Sequence, residues 1–280
     1  MSGRNIVLTG IPRSGTTLCC SLLGQAADTV ALFEPMAVHA LPRDRDSAVE
    51  VVAAFFSQSR RTLLERGVAP SQQVAGQVPD NPFGQDRDQS GARARVAHLG
   101  QIQVSKPLSQ DFSLVIKHNA AFTALLPELA QRFECYCLVR NPLAVLASWN
   151  SVNLPVSTGR LPAGEHFDQA LSRRLNAEPD LLERQLHLLD WLFGRFAAHL
   201  PAERILRYED IVHSAGAALA AATSLPVPPL PLKNQNASRL YDQEKSRRHA
   251  AGLLAGNGRW RQFYSHGDVI QGLHAMQAAS

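Results

Sequence analysis

Two glycines five residues apart, Gly10 and Gly15, bracket an arginine-bearing loop in N-I-V-L-T-G-I-P-R-S-G-T-T-L, residues 5–18. Glycine lets the backbone curl so that successive N–H groups converge at the start of a helix, where an anion is held at little cost. The spacing is that of the nucleotide-binding pattern GxxxxGK[ST], but Thr16 stands where the lysine belongs and the positive charge lies inside the loop, at Arg13. Loss of that lysine argues against ATP or GTP hydrolysis, in which it reaches the β- and γ-phosphates. A guanidinium at Arg13 still suits an anion that is bound or transferred. The loop alone also fits a plain glycine-rich turn between a strand and a helix.

Other groups carry complementary chemistry. Glu34-Pro35 offers a carboxylate, Lys117-His118 a cation beside an imidazole, and Arg140-Asn141-Pro142 a second guanidinium, with Ser148 eight residues further on. Arg207-Tyr208-Glu209-Asp210 closes the set. At ~3.6 residues per turn, helical spacing does not put Arg140 and Ser148 on one face. Arg140 reaches Ser148 only by folding back from ahead of the helix. Adjacent side chains on a strand point to opposite faces, so Lys117 and His118 share a target only if the strand has ended. Each group has a plainer reading: Glu34 as a solvated loop acid, Ser148 as a helix-face serine, Tyr208 as a strand-end aromatic.

The elements that must position these residues alternate. A β-branched run ends at Gly10, a helix is expected over 16–26, a strand over 29–33 stopped by Pro35, and a helix over 47–66 opened by a Ser47/Glu50 capping box. Residues 67–111 form a long polar connection without strong periodicity, either functional or partly disordered. A strand over 112–116, a helix over 120–132 and a strand over 133–139 follow, and Pro142 is placed to begin a helix through Trp149. A second polar connection spans 153–180. Then come a long amphipathic helix over 181–200, a strand over 204–208, a helix over 215–222 and a proline-stiffened connector over 225–233. Strands separated by helices argue an α/β fold, a mostly parallel sheet flanked by helices in three layers, with residues 1–280 as one domain.

Composition agrees. The chain is 45% apolar, enough for a sizeable core, and its net charge of +4 fits an anionic ligand. No block of Lys/Arg with interleaved aromatics is present, so no nucleic-acid partner is expected. Cys19, Cys20, Cys135 and Cys137 sit in apolar runs, which argues reduced core residues rather than disulfides or a zinc site. No ligand cluster for a metal is visible. With no apolar run of about 18 residues and no charged leader ahead of the first strand, a cytoplasmic protein without a membrane partner is expected.

Three segments, P-R-S-G-T-T-L at 12–18, R-N-P-L-A-V-L-A-S at 140–148 and R-Y-E-D at 207–210, together resemble the signatures of sulfotransferases that use 3′-phosphoadenosine 5′-phosphosulfate (PAPS). The first is most similar to the loop of the tyrosylprotein and carbohydrate branches. The resemblance covers roughly residues 5–210 and thins in the two polar connections. It implies a P-loop-type fold in which Arg13, Ser14, Gly15, Thr16 and Thr17 hold the 5′-phosphosulfate, Arg140 and Ser148 bind the 3′-phosphate, and Tyr208 lies near the adenine. Glu34, 21 residues past Arg13, falls where the tyrosylprotein branch has its catalytic base. His118 resembles the histidine base of the cytosolic branch, although there it stands two positions after the lysine rather than next to it. Arg13 and Lys117 would stabilise the transferring sulfuryl group and the leaving phosphate, without a metal.

The C-terminal part departs from the pattern. Gly258-Arg259-Trp260 resembles the end of the segment that grips the 3′-phosphate, but Leu253 and Leu254 stand where the family has arginine and lysine. Arg247, Arg248, Arg259 and Arg261 are the candidates to replace them. The implied activity is transfer to a hydroxyl or amine of a small-molecule or carbohydrate acceptor. A P-loop nucleotide kinase or other phosphotransferase, and a non-catalytic nucleotide-binding module, are the competing readings.

Overall fold

The computed structural model describes residues 3–87 and 92–279; residues 88–91 of the polar connection at 67–111 lie outside the described residues. The central sheet has five strands, all parallel: β1 (Asn5–Gly10), β2 (Thr29–Phe33), β7 (Ser113–Lys117), β8 (Glu134–Val139) and β9 (Ile205–Arg207), in the order β2-β7-β1-β8-β9. The apolar runs are continuous because both faces are covered. Val7, Leu32, Ile116 and Val139 pack on one face, while Ile6, Leu8, Phe33, Val115 and Leu138 pack on the other against the helix Thr16–Gln25. The α/β reading and the parallel sheet therefore hold.

Strand order makes the site. β1 lies centrally, flanked by β7 and β8, so chain segments leave its two sides in opposite directions and open a crevice beyond the carboxyl ends of the strands. All five strands deliver their next residues there: the loop after Gly10, Glu34 after Phe33, His118 after Lys117, Arg140 after Val139, Tyr208 after Arg207.

Several expectations change. The long helix runs Arg45–Arg66, and Asp44, one residue before it, accepts the Ser47 N–H at 2.8 Å. Asp44 is thus the N-cap in place of the expected Ser47/Glu50 box. The connection at 67–111 is not structureless: β3 (Val68–Gln73) pairs antiparallel with β6 (His98–Gln103), and β4 (Phe83–Arg87) with β5 (Arg93–Arg95). The helix expected over 120–132 is two short ones, Ala120–Ala124 and Leu126–Leu129, with Pro127 at the start of the second. Polar 153–180 holds the helices Pro162–Phe167 and Gln169–Ala177. Beyond the connector, Gln243–Ala255 and His266–Ala278 are helices against Pro142–Trp149. All four cysteines are free and buried, and burial pushes the thiols of Cys20 and Cys135 up to about 12. Among the described residues, no helix is long and apolar enough to cross a membrane.

Candidate active site

The loop after β1 is locked from below. Ser14 N–H donates to Ile11 O, Ser14 Oγ–H donates to Leu138 O at 3.1 Å, and Trp149 Nε1–H donates to Pro12 O at 2.7 Å. Arg13 takes a left-handed φ of 73° to make the turn. Gly15 has φ 94°, and a Cβ there would stand 2.7 Å from the Tyr208 ring. The helix Thr16–Gln25 starts from Gly15 with no side-chain cap and no acidic residue in its first turn, leaving its first N–H groups for an anion. Gly15, Thr16 and Thr17 line a cavity of about 1830 Å³; the fully buried Ser14 does not, because its hydroxyl points into the sheet.

Arg13 is the hub of the expected phosphate residues. Its Nε–H donates to Ser148 Oγ at 3.1 Å, and its guanidinium lies over the Phe83 ring at 4.7 Å. Burial lowers its pKa to about 10, so it stays charged at neutral pH. Arg140, 4% exposed, donates to Arg13 O at 2.8 Å and stacks over the Tyr208 ring at 4.7 Å. Arg140 and Ser148 each touch Arg13, the one at its carbonyl and the other at its guanidinium, which is a bridge through Arg13 and not the direct fold-back of Arg140 over its helix. Arg140 also donates to Gln235 O at 2.6 Å and Asn236 Oδ1 at 2.7 Å, tying residues 233–241 across the cavity as a strap. Tyr208 Oη accepts the Gln235 N–H at 3.0 Å. Tyr208 begins the helix Tyr208–His213 rather than ending the strand.

At the other side of the loop, Lys117 Nζ donates to Glu34 Oε1 at 2.7 Å, with Arg95 3.6 Å from Glu34 Oε2. Glu34 has φ 44°, a strained conformation that turns its carboxylate over the sheet edge. Burial alone would push that carboxyl up; Lys117, His118 and Arg95 outweigh it and hold the pKa at about 2. Lys117 is the last strand residue, and His118 follows it with its N–H still donating to Leu8 O at 3.1 Å; both line the cavity. His118 Nε2 accepts the Met36 N–H at 3.2 Å, which places its ring proton on Nδ1. Burial lowers its pKa to about 4, leaving it neutral at pH 7.

The C-terminal arginines do not reach the cavity. Arg248 pairs with Asp180, Arg261 donates to Asn257, Arg247 donates to Gln243, and Arg259 lies against Gly194 beside Asp190. The lining instead takes Arg93 and Arg95 from the β4–β5 pair, and Lys233 and Arg239 from the strap. None of these four stands out in the sequence. Their segments have no helical or strand periodicity to fix direction, and a basic residue inside a polar connection is ordinarily solvated. Among the described residues, no cluster of three or more His, Cys, Asp or Glu is arranged to hold a metal.

No family model matches the chain, and no curated protein matches it. Among solved structures it is similar to the sulfotransferase domain from the curacin biosynthetic pathway, with 17% identity over 100% of this chain and 99% of that one at a TM-score of 0.40. It is also similar to sulfotransferase STF1 of Mycobacterium tuberculosis, with 14% identity over 99% of this chain and 77% of that one at a TM-score of 0.35.

Proposed function

We propose that this chain is a PAPS-dependent sulfotransferase, one cytoplasmic domain over residues 1–280, that moves a sulfuryl group to a hydroxyl or amine of a small-molecule or carbohydrate acceptor. The observation that carries this is the Glu34–Lys117 pair, 2.7 Å apart, lining the same cavity as a phosphate-type loop whose own lysine is missing. A base and a cation stand beside an anion cradle.

The residues fit the donor. The uncapped start of the helix Thr16–Gln25, with Gly15, Thr16 and Thr17, suits the 5′-phosphosulfate. Arg140 and Ser148, with Lys233 and Arg239 nearby in the lining, suit the 3′-phosphate, and the Tyr208 ring offers an apolar surface to the adenine. In transfer, the acceptor oxygen bonds to sulfur as the bond from sulfur to the bridging phosphate oxygen breaks. The electron pair leaves on the phosphate, giving adenosine 3′,5′-bisphosphate, and the acceptor proton goes to Glu34. Arg13 and Lys117 neutralise charge on the sulfuryl and leaving oxygens. As Lys117 turns to the leaving oxygen, Glu34 loses its strongest cationic partner and becomes more basic. His118 is the poorer base: its Nε2 lone pair is occupied by Met36 N–H, and it holds the Met36 turn.

The test is thermal stabilisation by adenosine 3′,5′-bisphosphate, followed by transfer from labelled PAPS to an acceptor panel. Consumption of ATP with magnesium would instead favour a phosphotransferase, and nucleotide binding without transfer to any acceptor a binding module.

A further inference from the structure

The cavity is larger than a single ligand needs and is divided in its chemistry. Pockets for one small ligand are about 300–1,000 Å³, against roughly 1830 Å³ here. Among the described lining residues, every Asp, Glu, Lys and Arg belongs to the phosphate loop, the strand ends, the β4 region with β5, or the strap. Lining residues from segments 36–39, 119–121 and 151–166 include none. Met36, Val38 and Leu154 from these segments pack against one core that includes Val156 and Leu161. This apolar half adjoins the reactive pair, since Met36 N–H meets His118 Nε2 and the helix Ala120–Ala124, one residue past His118, packs on Pro162–Phe167.

Two polar atoms in this half have no hydrogen-bond partner although buried: Asn119 Oδ1 and His166 Nε2. A sugar needs a partner for nearly every hydroxyl it buries, and a charged acceptor needs a counter-ion. The segments 36–39, 119–121 and 151–166 supply apolar contact and few hydrogen bonds.

Resting on the sulfotransferase reading above, we infer that the acceptor is an uncharged, largely apolar alcohol or phenol, its body against Met36, Val38, Leu154, Val156 and Leu161 and its reacting hydroxyl at Glu34. The apolar contact supplies affinity.

The test separates this inference from the reading beneath it. Binding of 1-naphthol, followed by its own fluorescence, and of D-glucose, followed by calorimetry, is measured on the full chain with and without adenosine 3′,5′-bisphosphate. The same two compounds are offered as acceptors with PAPS. The expected result is that 1-naphthol binds and is sulfated while D-glucose does neither. In Leu154→Asp and Val38→Asp, 1-naphthol affinity falls at least tenfold with stabilisation by the bisphosphate unchanged. Glucose binding or sulfation in preference to naphthol overturns the inference, as does unaltered naphthol affinity in the folded variants. The wild-type comparison decides even where both variants fail to fold. Naphthol binding without stabilisation by the bisphosphate overturns the donor assignment and leaves the apolar subsite standing.

Discussion

Lys117 Nζ and Glu34 Oε1 lie 2.7 Å apart across the ends of two adjacent parallel strands, with the Lys117 side chain only 2% exposed and Glu34 28%. The register that pairs Phe33 with Lys117 sets this contact, because Glu34 is the next residue and its N–H still donates to Lys117 O at 2.8 Å. The ladder therefore fixes carboxylate and ammonium relative to each other. The Phe33 ring, 4.6 Å from Nζ, closes the other side of the ammonium.

Replacing the proposed base while keeping its shape isolates the proton transfer. Glu34→Gln is expected to lower kcat by about 10²–10⁴-fold, the usual worth of a general base, with the affinity for adenosine 3′,5′-bisphosphate unchanged. His118→Asn is expected to cost less. Steady-state kinetics beside calorimetric nucleotide binding checks both, and full turnover in Glu34→Gln would remove it as the base.

Acid should destabilise the protein in two steps. His118 and His249 are both lowered by burial from 6.5 to about 4. The unfolded chain therefore binds more protons between those values, and stability falls as pH drops from about 6.5 towards 4. Glu34 is depressed from 4.5 to about 2, so its contribution is present above 4.5 and is lost as pH falls from there towards 2. Denaturant midpoints across pH 3–8 measure this. His118→Gln should flatten the upper step, by up to about 3 kcal/mol for a shift of this size.

The strand–loop–helix turn with Arg13 and the helix start after Arg140 are legible in sequence because glycine spacing and a proline at a helix start are local signals. The direction of the Ser14 hydroxyl is not legible in the sequence because it depends on Leu138 O, on a strand more than a hundred residues away in the chain. Arg95 escapes notice because β5 faces Glu34 only through tertiary docking, in which Arg93 N–H donates to Ser151 O at 3.1 Å. The strap is hidden for a similar reason. Nothing in its sequence says that Arg140 will hold Gln235 O and Asn236 Oδ1, so sequence directs attention further along, to the cations from Arg247 to Arg261, where the structure has surface pairs.

Gly15 should tolerate no side chain. With φ at 94° and the Tyr208 ring 2.7 Å from a built Cβ, Gly15→Ala is expected to cost about 1–3 kcal/mol in stability from backbone strain. It should also weaken nucleotide binding by pushing the Tyr208 ring aside. Chemical denaturation and calorimetry check both; a neutral substitution would contradict the close approach of loop and ring.

Arg140 holds the strap and is the proposed partner of the 3′-phosphate. Arg140→Met is expected to weaken adenosine 3′,5′-bisphosphate at least about tenfold, because methionine cannot donate a charge-assisted hydrogen bond to the 3′-phosphate. Adenosine 5′-phosphosulfate, which lacks that phosphate, should be weakened much less. The substitution should also speed amide hydrogen exchange in residues 233–241, since three hydrogen bonds from Arg140 reach Gln235, Asn236 and Tyr241. Equal weakening of the two nucleotides would remove Arg140 from the 3′-phosphate.

Sulfuryl transfer itself is tested most directly by mass spectrometry of acceptor and nucleotide after incubation with PAPS, for the wild type and Glu34→Gln side by side. The expected result is sulfated acceptor and adenosine 3′,5′-bisphosphate in equal amounts with the wild type, and neither above background with Glu34→Gln despite bound nucleotide. Equal product from both proteins, or a phosphorylated acceptor formed only with ATP and magnesium, would contradict it.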